Sequence, residues 1–244
     1  MSLTGAFKFF SVLGAIFVLS VVLTPPLYSV LSPFFGFEKI FNRLVMIFSV
    51  SAAVIYVLVR KSDRRTFSFD PKSLRSYGLD LSTPWRKLFA WGFLAGALTV
   101  VVMAALEVAF GPRYLREPLL AQDIVERFVK GMLSGVTIGL IEEFFFRGFI
   151  FFHLRKRLGT FLGVIVTSTF YSLAHFFDNG QIFIPKDPST VDAVRLLVGY
   201  LEPLVTRPHD LLAEFTGLFI FGGVLSFAFV RLGSLFLPMG LHAG

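Results

Sequence analysis

The stretch "LFAWGFLAGALTVVVMAALEVAF", residues 88–110, contains a single charged side chain, Glu107, in an otherwise apolar run. At about 1.5 Å of rise per residue, a helix of this length spans the hydrocarbon core of a bilayer, which is about 30 Å thick. Runs of this length and composition are typical of transmembrane helices rather than of the core of a soluble protein. The stretch therefore predicts a membrane-spanning helix.

Further apolar runs lie on both sides of this stretch. We predict spans at about 7–31, 44–59, 132–154, 161–177 and 211–230, with another helix beginning near Leu235. The chain has 55% hydrophobic residues but only 16% charged residues, whereas soluble domains carry about 25% charged residues. We predict an all-α fold, a polytopic membrane helical bundle of about seven to eight transmembrane helices whose last helix is incomplete in this sequence. Residues 1–244 are expected to form a single integral-membrane domain.

The charge distribution predicts the orientation of this bundle. The net charge is +7, and basic residues cluster directly beside apolar spans, in 60–87, at Arg155–Arg157 and at Arg231. This pattern is typical of the cytoplasmic loops of membrane proteins, not of nucleic-acid binding. We therefore expect a cytoplasmic N-terminus. The acidic segment 178–210 is then an extramembrane loop on the outer side, as a lid, a surface helix or a mobile segment.

The fourth predicted span contains "IEEFFFRGFIFF", residues 141–152, with three charges among apolar side chains. Residues four apart share one face of a helix, so Glu143 and Arg147 are expected to form an ion pair. Glu142 points in a different direction and is expected to remain available for another role. Ionisable residues inside membranes are usually functional, although a purely structural network that pins helices together is the alternative.

Two of the four histidines, His175 and His242, lie within apolar helices. His153 lies beside a basic stop and His209 in the outer loop, where polar side chains are expected. Counted along each helix from its cytoplasmic basic residues, Glu142, His175 and His242 lie at depths of about 20, 25 and 16 Å. This similarity predicts one polar cavity that is open towards the outside.

The residue types limit the chemistry of such a cavity. The chain has no cysteine, and we find no G-x-S-x-G elbow, HExxH helix or Gly-rich phosphate loop. One carboxylate and two imidazoles support two interpretations. Glu142, His175 and His242 hold zinc as a His₂Glu set with an open water position; alternatively, no metal takes part, and Glu and His activate water while the second His stabilises an oxyanion. A non-catalytic transporter or scaffold is a further hypothesis.

Three short motifs resemble those of a known family. "EEFFFR" (142–147) is similar to EExxxR, "YSLAH" (171–175) to [FY]xxxH, and "LPMGLHAG" (237–244) to the start of HxxxN. In this order, on separate apolar helices, they resemble the CPBP family of CAAX-protease and bacteriocin-processing-type intramembrane endopeptidases, which includes the Rce1 prenyl proteases. The resemblance covers about 130–244 by motif and the whole chain by its number of spans. It implies an eight-helix, glutamate-type protease.

The resemblance also implies residue roles. Glu142 would be the base that activates water, assisted by His175. His242 would contribute to the oxyanion site together with an asparagine four residues later, a position that this sequence does not include. The supporting residues would be Glu143, Arg147 and Tyr171. No cofactor is expected, and zinc is the less favoured alternative.

The resemblance further suggests the partners and location of the chain. The expected substrate is a membrane-anchored protein or peptide, cut in or near a membrane-embedded or C-terminal anchor segment. The other partner is the lipid bilayer itself, and no nucleic acid is expected. Bacterial relatives indicate an integral protein of the inner membrane.

Overall fold

The computed structural model describes residues 3–59, 74–111, 121–176, 182–206 and 208–244, and within these ranges every extended regular element is a helix. A short π-helical segment follows the fourth α-helix. The elements are α1 (Leu3–Leu31), α2 (Phe37–Val59), α3 (Trp85–Phe110), α4 (Ala121–Glu143), the π-helical segment (Phe144–Phe151), α5 (Phe152–His175), α6 (Thr190–Thr206), α7 (Pro208–Leu232) and α8 (Phe236–Ala243). The predicted all-α fold is confirmed.

Four of the described helices are long and apolar enough to cross a membrane, and most of their side chains are exposed to the surroundings of the chain. They are Ser11–Leu31, Phe37–Tyr56, Trp85–Phe110 and Pro208–Leu232. Exposed apolar side chains on such helices suit contact with lipid. The predicted spans at 132–154 and 161–177 are not among these four helices.

The predicted fourth and fifth spans are connected by one sharp turn within α5. Gly159 has a φ of 79° and a ψ of 173°, which is not helical. A Cβ on Gly163 would lie 3.3 Å from the backbone of Arg155, so the helical arms on either side of Gly159 fold back on each other. The predicted basic stop therefore lies at a reversal of the chain. Residue 177, the last of the predicted fifth span, lies outside the described residues.

Contacts divide the chain into two compact units, each of which contains part of α5 and of α7. One unit comprises Met1–Ser68 and Thr169–Phe219, and the other comprises Phe69–Ser168 and Ile220–Gly244. That these units form a single membrane domain stays a prediction.

The first unit shows which of the three expected forms segment 178–210 takes over its described residues. This segment contains the helix α6, and α7 already begins at Pro208 rather than near 211. The inner face of α6 packs against α2 in a buried cluster that comprises Phe37, Phe41, Ala193, Leu196 and Tyr200. Ser189 directly precedes the helix, and its amide and hydroxyl both donate to the carboxylate of Asp192, at 2.8 and 2.9 Å. Of the three expected forms, a helix is the one that the structure shows at 190–206, where the apolar spacing packs on α2; residues 178–181 and 207 lie outside the described residues.

The second unit fixes the start of α8 through the turn that precedes α3. The backbone carbonyl of Gly78 accepts a hydrogen bond from the amide of Leu235 at 2.9 Å. Gly78 has a φ of 88°, and a Cβ there would lie 2.5 Å from Phe229, so glycine fits both the backbone and the space. Beside it, hydrogen bonds from the hydroxyl and amide of Ser82 hold the pKa of Asp80 below its ordinary value.

Candidate active site

Helix α8 carries His242 and is held against α3 by closely approaching backbones. Gly92 and Gly96 on α3 face Gly240 and Gly244 on α8. A Cβ on Gly240 would overlap the carbonyl oxygen of Phe89, and one on Gly96 would lie 2.6 Å from the carbonyl oxygen of Leu241. Glycines four apart allow this close packing of membrane helices. The contact therefore fixes the position of α8 along α3.

Helix α4 approaches the other side of α8 in the same way. A Cβ on Gly135 would lie 2.8 Å from the carbonyl oxygen of Ala243. One turn further along α4, a Cβ on Gly139 would lie 3.4 Å from the Cβ of His242. Because α4 continues from Gly139 into the two glutamates, this contact brings the end of α4 next to the histidine.

The backbone changes its winding directly after the two glutamates. Residues Phe144–Phe151 form a π-helix, in which Phe144, Phe146, Arg147, Gly148 and Phe151 are buried. Short π-helical segments are rare and occur frequently at functional sites. This segment therefore places buried side chains, among them the guanidinium of Arg147, directly after Glu143.

Glu143 and Arg147 form the predicted ion pair. Arg147 Nη1 lies 2.7 Å from Glu143 Oε1, and both side chains are completely buried. Arg147 Nη2 donates a second hydrogen bond to the carbonyl of Gly222 at 3.1 Å. The hydroxyl of Ser226 donates to the same carbonyl at 2.8 Å. The guanidinium is therefore fixed by a carboxylate on its own helical segment and by the backbone of α7.

The position of Gly222 leaves little room for a side chain. A Cβ there would lie 3.2 Å from Ser168 Oγ and 3.3 Å from Arg147 Nη2. Both distances are shorter than ordinary van der Waals contact, so a methyl group would press on the guanidinium. By contrast, a Cβ on the adjacent Gly223 would have no neighbour within 4 Å. Glycine at 222 thus lets Arg147 reach the backbone of α7.

His242 lies between the two glutamates. Its Nδ1 is 3.0 Å from Glu143 Oε1, which makes Nδ1 the donor, since a carboxylate accepts. Its Nε2 is 3.8 Å from Glu142 Oε2. The ring of Phe221 meets the imidazole edge-on at 5.9 Å between centroids. The sequence predicted that Glu142 and His242 lie at similar depth, but it did not predict that one imidazole faces both carboxylates.

The two carboxylates differ in their surroundings. Glu143 is fully buried and contacts both Arg147 and His242, whereas the side chain of Glu142 keeps 20% of its surface exposed. The side chain of His242 is 13% exposed. The side chains of Glu142 and His242 are therefore partly accessible, while Glu143 is enclosed. The arrangement can orient one imidazole and present a second carboxylate beside it.

Tyr171 and His175, the other predicted site residues, belong to the first compact unit. His175 Nδ1 lies 2.8 Å from the carbonyl oxygen of Tyr171, so Nδ1 donates and Nε2 is directed away from that bond. The two rings also contact each other at an angle of 55°, with centroids 4.4 Å apart, and Tyr171 is buried. In this [FY]xxxH motif, the carbonyl oxygen of the aromatic residue therefore binds the imidazole one turn later, and the aromatic ring contacts it. The convergence of His175 with Glu142 stays a prediction.

A metal site was one of the two interpretations of the sequence. Among the described residues, no group of three or more His, Cys, Asp or Glu side chains has the arrangement of a metal site. Glu142 and His242 approach each other as a pair. Zinc binding by Glu142, His175 and His242 stays a prediction.

Sequence reasoning missed two features of the site that bear on its geometry. The bond between Glu143 and His242 joins residues 99 positions apart, and no local pattern predicts it. The glycine contacts of α8 had a visible signal, because Gly92 and Gly96, like Gly240 and Gly244, show the G-x-x-x-G spacing of packed membrane helices.

Residues 124–244 match the family model described as type II CAAX prenyl endopeptidase Rce1-like. The matched range contains Glu142, Glu143, Arg147, His175 and His242. No curated protein and no solved structure matches the chain.

Proposed function

The chain belongs, through residues 124–244, to the Rce1-like family of type II CAAX prenyl endopeptidases, and we propose that it is a glutamate-type intramembrane endopeptidase. It hydrolyses a peptide bond in or near a membrane-embedded or C-terminal anchor segment of a protein or peptide. The observation that carries the proposal is the position of His242 between Glu142 and the buried Glu143–Arg147 pair. Such a site supplies a base, an oriented imidazole and a fixed counter-charge.

The two glutamates have different roles in the proposed reaction. Glu142 accepts a proton from water as the water oxygen attacks the peptide carbonyl carbon. The C–N bond then breaks, and Glu142 returns the proton to the leaving amine. Glu143 does not touch the substrate; it accepts the Nδ1–H of His242 and so holds the ring in position.

His242 acts on the carbonyl oxygen in this mechanism. With protons on both nitrogens, it donates through Nδ1 to Glu143, and its Nε2–H is available to the oxyanion of the tetrahedral intermediate. His175 assists Glu142, as the motif resemblance implies. Arg147 compensates the charge of Glu143 inside an apolar region, where an uncompensated carboxylate would be strongly unfavourable.

The test compares the termini of membrane proteins in cells that express the wild-type chain or the Glu142→Gln variant. The proposal expects new termini with the wild-type chain that are absent with an equally abundant, inserted variant. Identical termini in both cells would contradict it. If the chain is instead a transporter or scaffold, Glu142→Gln changes solute or proton flux while the termini stay the same.

Metal dependence is tested on the purified protein. The glutamate mechanism expects cleavage to persist in chelator and the protein to contain no stoichiometric zinc. Loss of cleavage in chelator, restored by zinc alone, would support zinc held by Glu142, His175 and His242.

We also propose that the chain lies in the bacterial inner membrane with a cytoplasmic N-terminus. The basic segment 60–87 supports this orientation. A Ser82→Cys variant should react with a membrane-impermeant maleimide in inverted vesicles and not in intact spheroplasts. The opposite pattern would reverse the topology.

A further inference from the structure

Helix α6 is apolar on two opposite faces. Its inner face contributes Ala193, Leu196 and Tyr200 to the buried cluster with α2. Its outer face carries four exposed valines, which we call the outer valine face. They are Val191, Val194, Val198 and Val205, with 58%, 47%, 61% and 82% of their surface exposed.

Exposure to water would not explain why valines occupy the outer face of α6. The valines are spaced by three, four and seven residues, so they form one stripe along the helix. Valine is a weaker helix former than lysine, arginine, glutamine or glutamate, because its branched side chain loses rotamer freedom in a helix. Each exposed valine also forgoes the stabilisation that removal from water would bring. An apolar environment removes both disadvantages.

An open groove of about 480 Å³ runs along the same face. It lies between residues 182–183 and α6, where Ile182 packs directly onto Gly199. The next side chain, Phe183, is 87% exposed. Among the described residues, the charged side chains that line the groove are those of Arg195 and Glu202. Its walls are otherwise apolar, as expected for a surface that receives hydrocarbon chains.

The cluster beneath α6 extends along two candidate membrane spans. Phe17 and Val21 of α1 and Val45 of α2 pack against it. Phe17 precedes Leu31, the end of its span, by 14 residues, or about 21 Å along the helix. Because only 17% of the residues in each of these two spans are buried, the outer valine face continues a surface that suits contact with lipid.

We propose that bilayer lipid covers the outer valine face and its groove, so that residues 182–205 lie at the membrane rather than in the surrounding water. In this arrangement α6 lies beside α1 and α2 with its valines among the acyl chains. The side chain of Arg195 is 71% exposed and long enough to reach the phosphate layer from this position. This proposal does not depend on protease activity.

The test uses the absence of cysteine from the chain. Val198→Cys places a unique label site on the outer valine face, and Ser82→Cys places one in an exposed turn. Both full-length variants are reconstituted in phosphatidylethanolamine–phosphatidylglycerol vesicles. We expect an impermeant maleimide to label Val198→Cys about tenfold more slowly than Ser82→Cys when both sites are made accessible from the same side.

A second measurement distinguishes lipid from protein as the covering. A fluorophore on Val198→Cys should be quenched by nitroxides on lipid acyl chains and not by aqueous iodide, and the fluorophore on Ser82→Cys should show the reverse. Equal labelling of both variants, or iodide quenching at 198, would overturn the proposal. So would disulfide-linked dimers through 198, which would indicate a second copy on this face. Val194→Cys repeats the measurement if Val198→Cys does not fold.

Discussion

Two buried regions of this chain are stabilised by different physical means. Around His242, charged side chains are enclosed, and each makes polar contacts with other buried groups. Around Tyr200, aromatic and aliphatic side chains fill the space, and the polar contact is a hydroxyl that lies 2.9 Å from Asn42 Oδ1. The stability of the first region depends on its buried charges keeping their partners, because a buried charge that loses its partner is strongly destabilising. The second depends mainly on buried area, so single polar changes there should matter less.

The largest effect on stability is expected for Arg147→Met. This change leaves Glu143 buried beside His242 without its cation, and breaking a buried pair costs about 3–5 kcal/mol. The free energy of unfolding in detergent measures it. The double variant Glu143→Leu with Arg147→Met should recover part of the loss, because no orphaned charge remains. A loss below about 1 kcal/mol in the single variant would show that the pair is not desolvated.

The glycine contact of α8 is the next most sensitive feature. Gly240→Ala would force a methyl group into the carbonyl of Phe89, and overpacking of this kind costs about 1–3 kcal/mol. Gly131→Ala on α4 is the matched control, since no atom lies within 4 Å of its added methyl. Thermal unfolding should separate the two variants. Equal melting temperatures would mean that α3 and α8 are not in close contact.

Gly222→Ala should affect catalysis more than stability. The added methyl presses on Arg147, which positions Glu143 and, through it, His242. Displacements of about 1 Å in a catalytic site lower rates by up to roughly a hundredfold. We expect kcat to fall at least tenfold, with KM nearly unchanged, on a reporter peptide identified from the cellular cleavage products. Gly223→Ala, with open space around its methyl, should keep wild-type kcat; a matching loss there would refute the positioning role.

The smallest effect is expected for Tyr200→Phe. It removes the hydroxyl near Asn42 and Glu38 but keeps the aromatic ring in the apolar cluster. A neutral hydrogen bond of this kind contributes about 0.5–1.5 kcal/mol. Cleavage should be unchanged. A loss as large as that of Arg147→Met would mean that the two regions do not differ as described.

Local patterns predicted the features that depend on nearby residues. The apolar runs indicated the membrane helices, and the spacing of Glu143 and Arg147 indicated their ion pair. Local patterns could not predict features that depend on contacts between residues far apart in the sequence. Helix α6 is stabilised by packing on Phe37 and Phe41, which precede it by about 150 residues, and the sequence alone left a lid, a surface helix and a mobile segment open for this part of the chain.

The same limit applies inside the candidate site. Three motifs indicated the candidate residues, and similar depth predicted that they converge. The orientation of His242 towards Glu143 depends on the register of α8 against α3 and α4, which the glycine contacts fix. A pattern of residue types cannot give that register, although the G-x-x-x-G spacing reveals where close contact is possible.

The central claim is that the two adjacent glutamates do different work, and parallel measurement of Glu142→Gln and Glu143→Gln tests it most directly. Cleavage and the free energy of unfolding are measured for both variants. We predict that Glu142→Gln loses about 10²–10⁴-fold in cleavage rate with wild-type stability, whereas Glu143→Gln loses stability by several kcal/mol because Arg147 loses its counter-charge. Full cleavage by Glu142→Gln, or equal destabilisation of the two variants, would contradict the account.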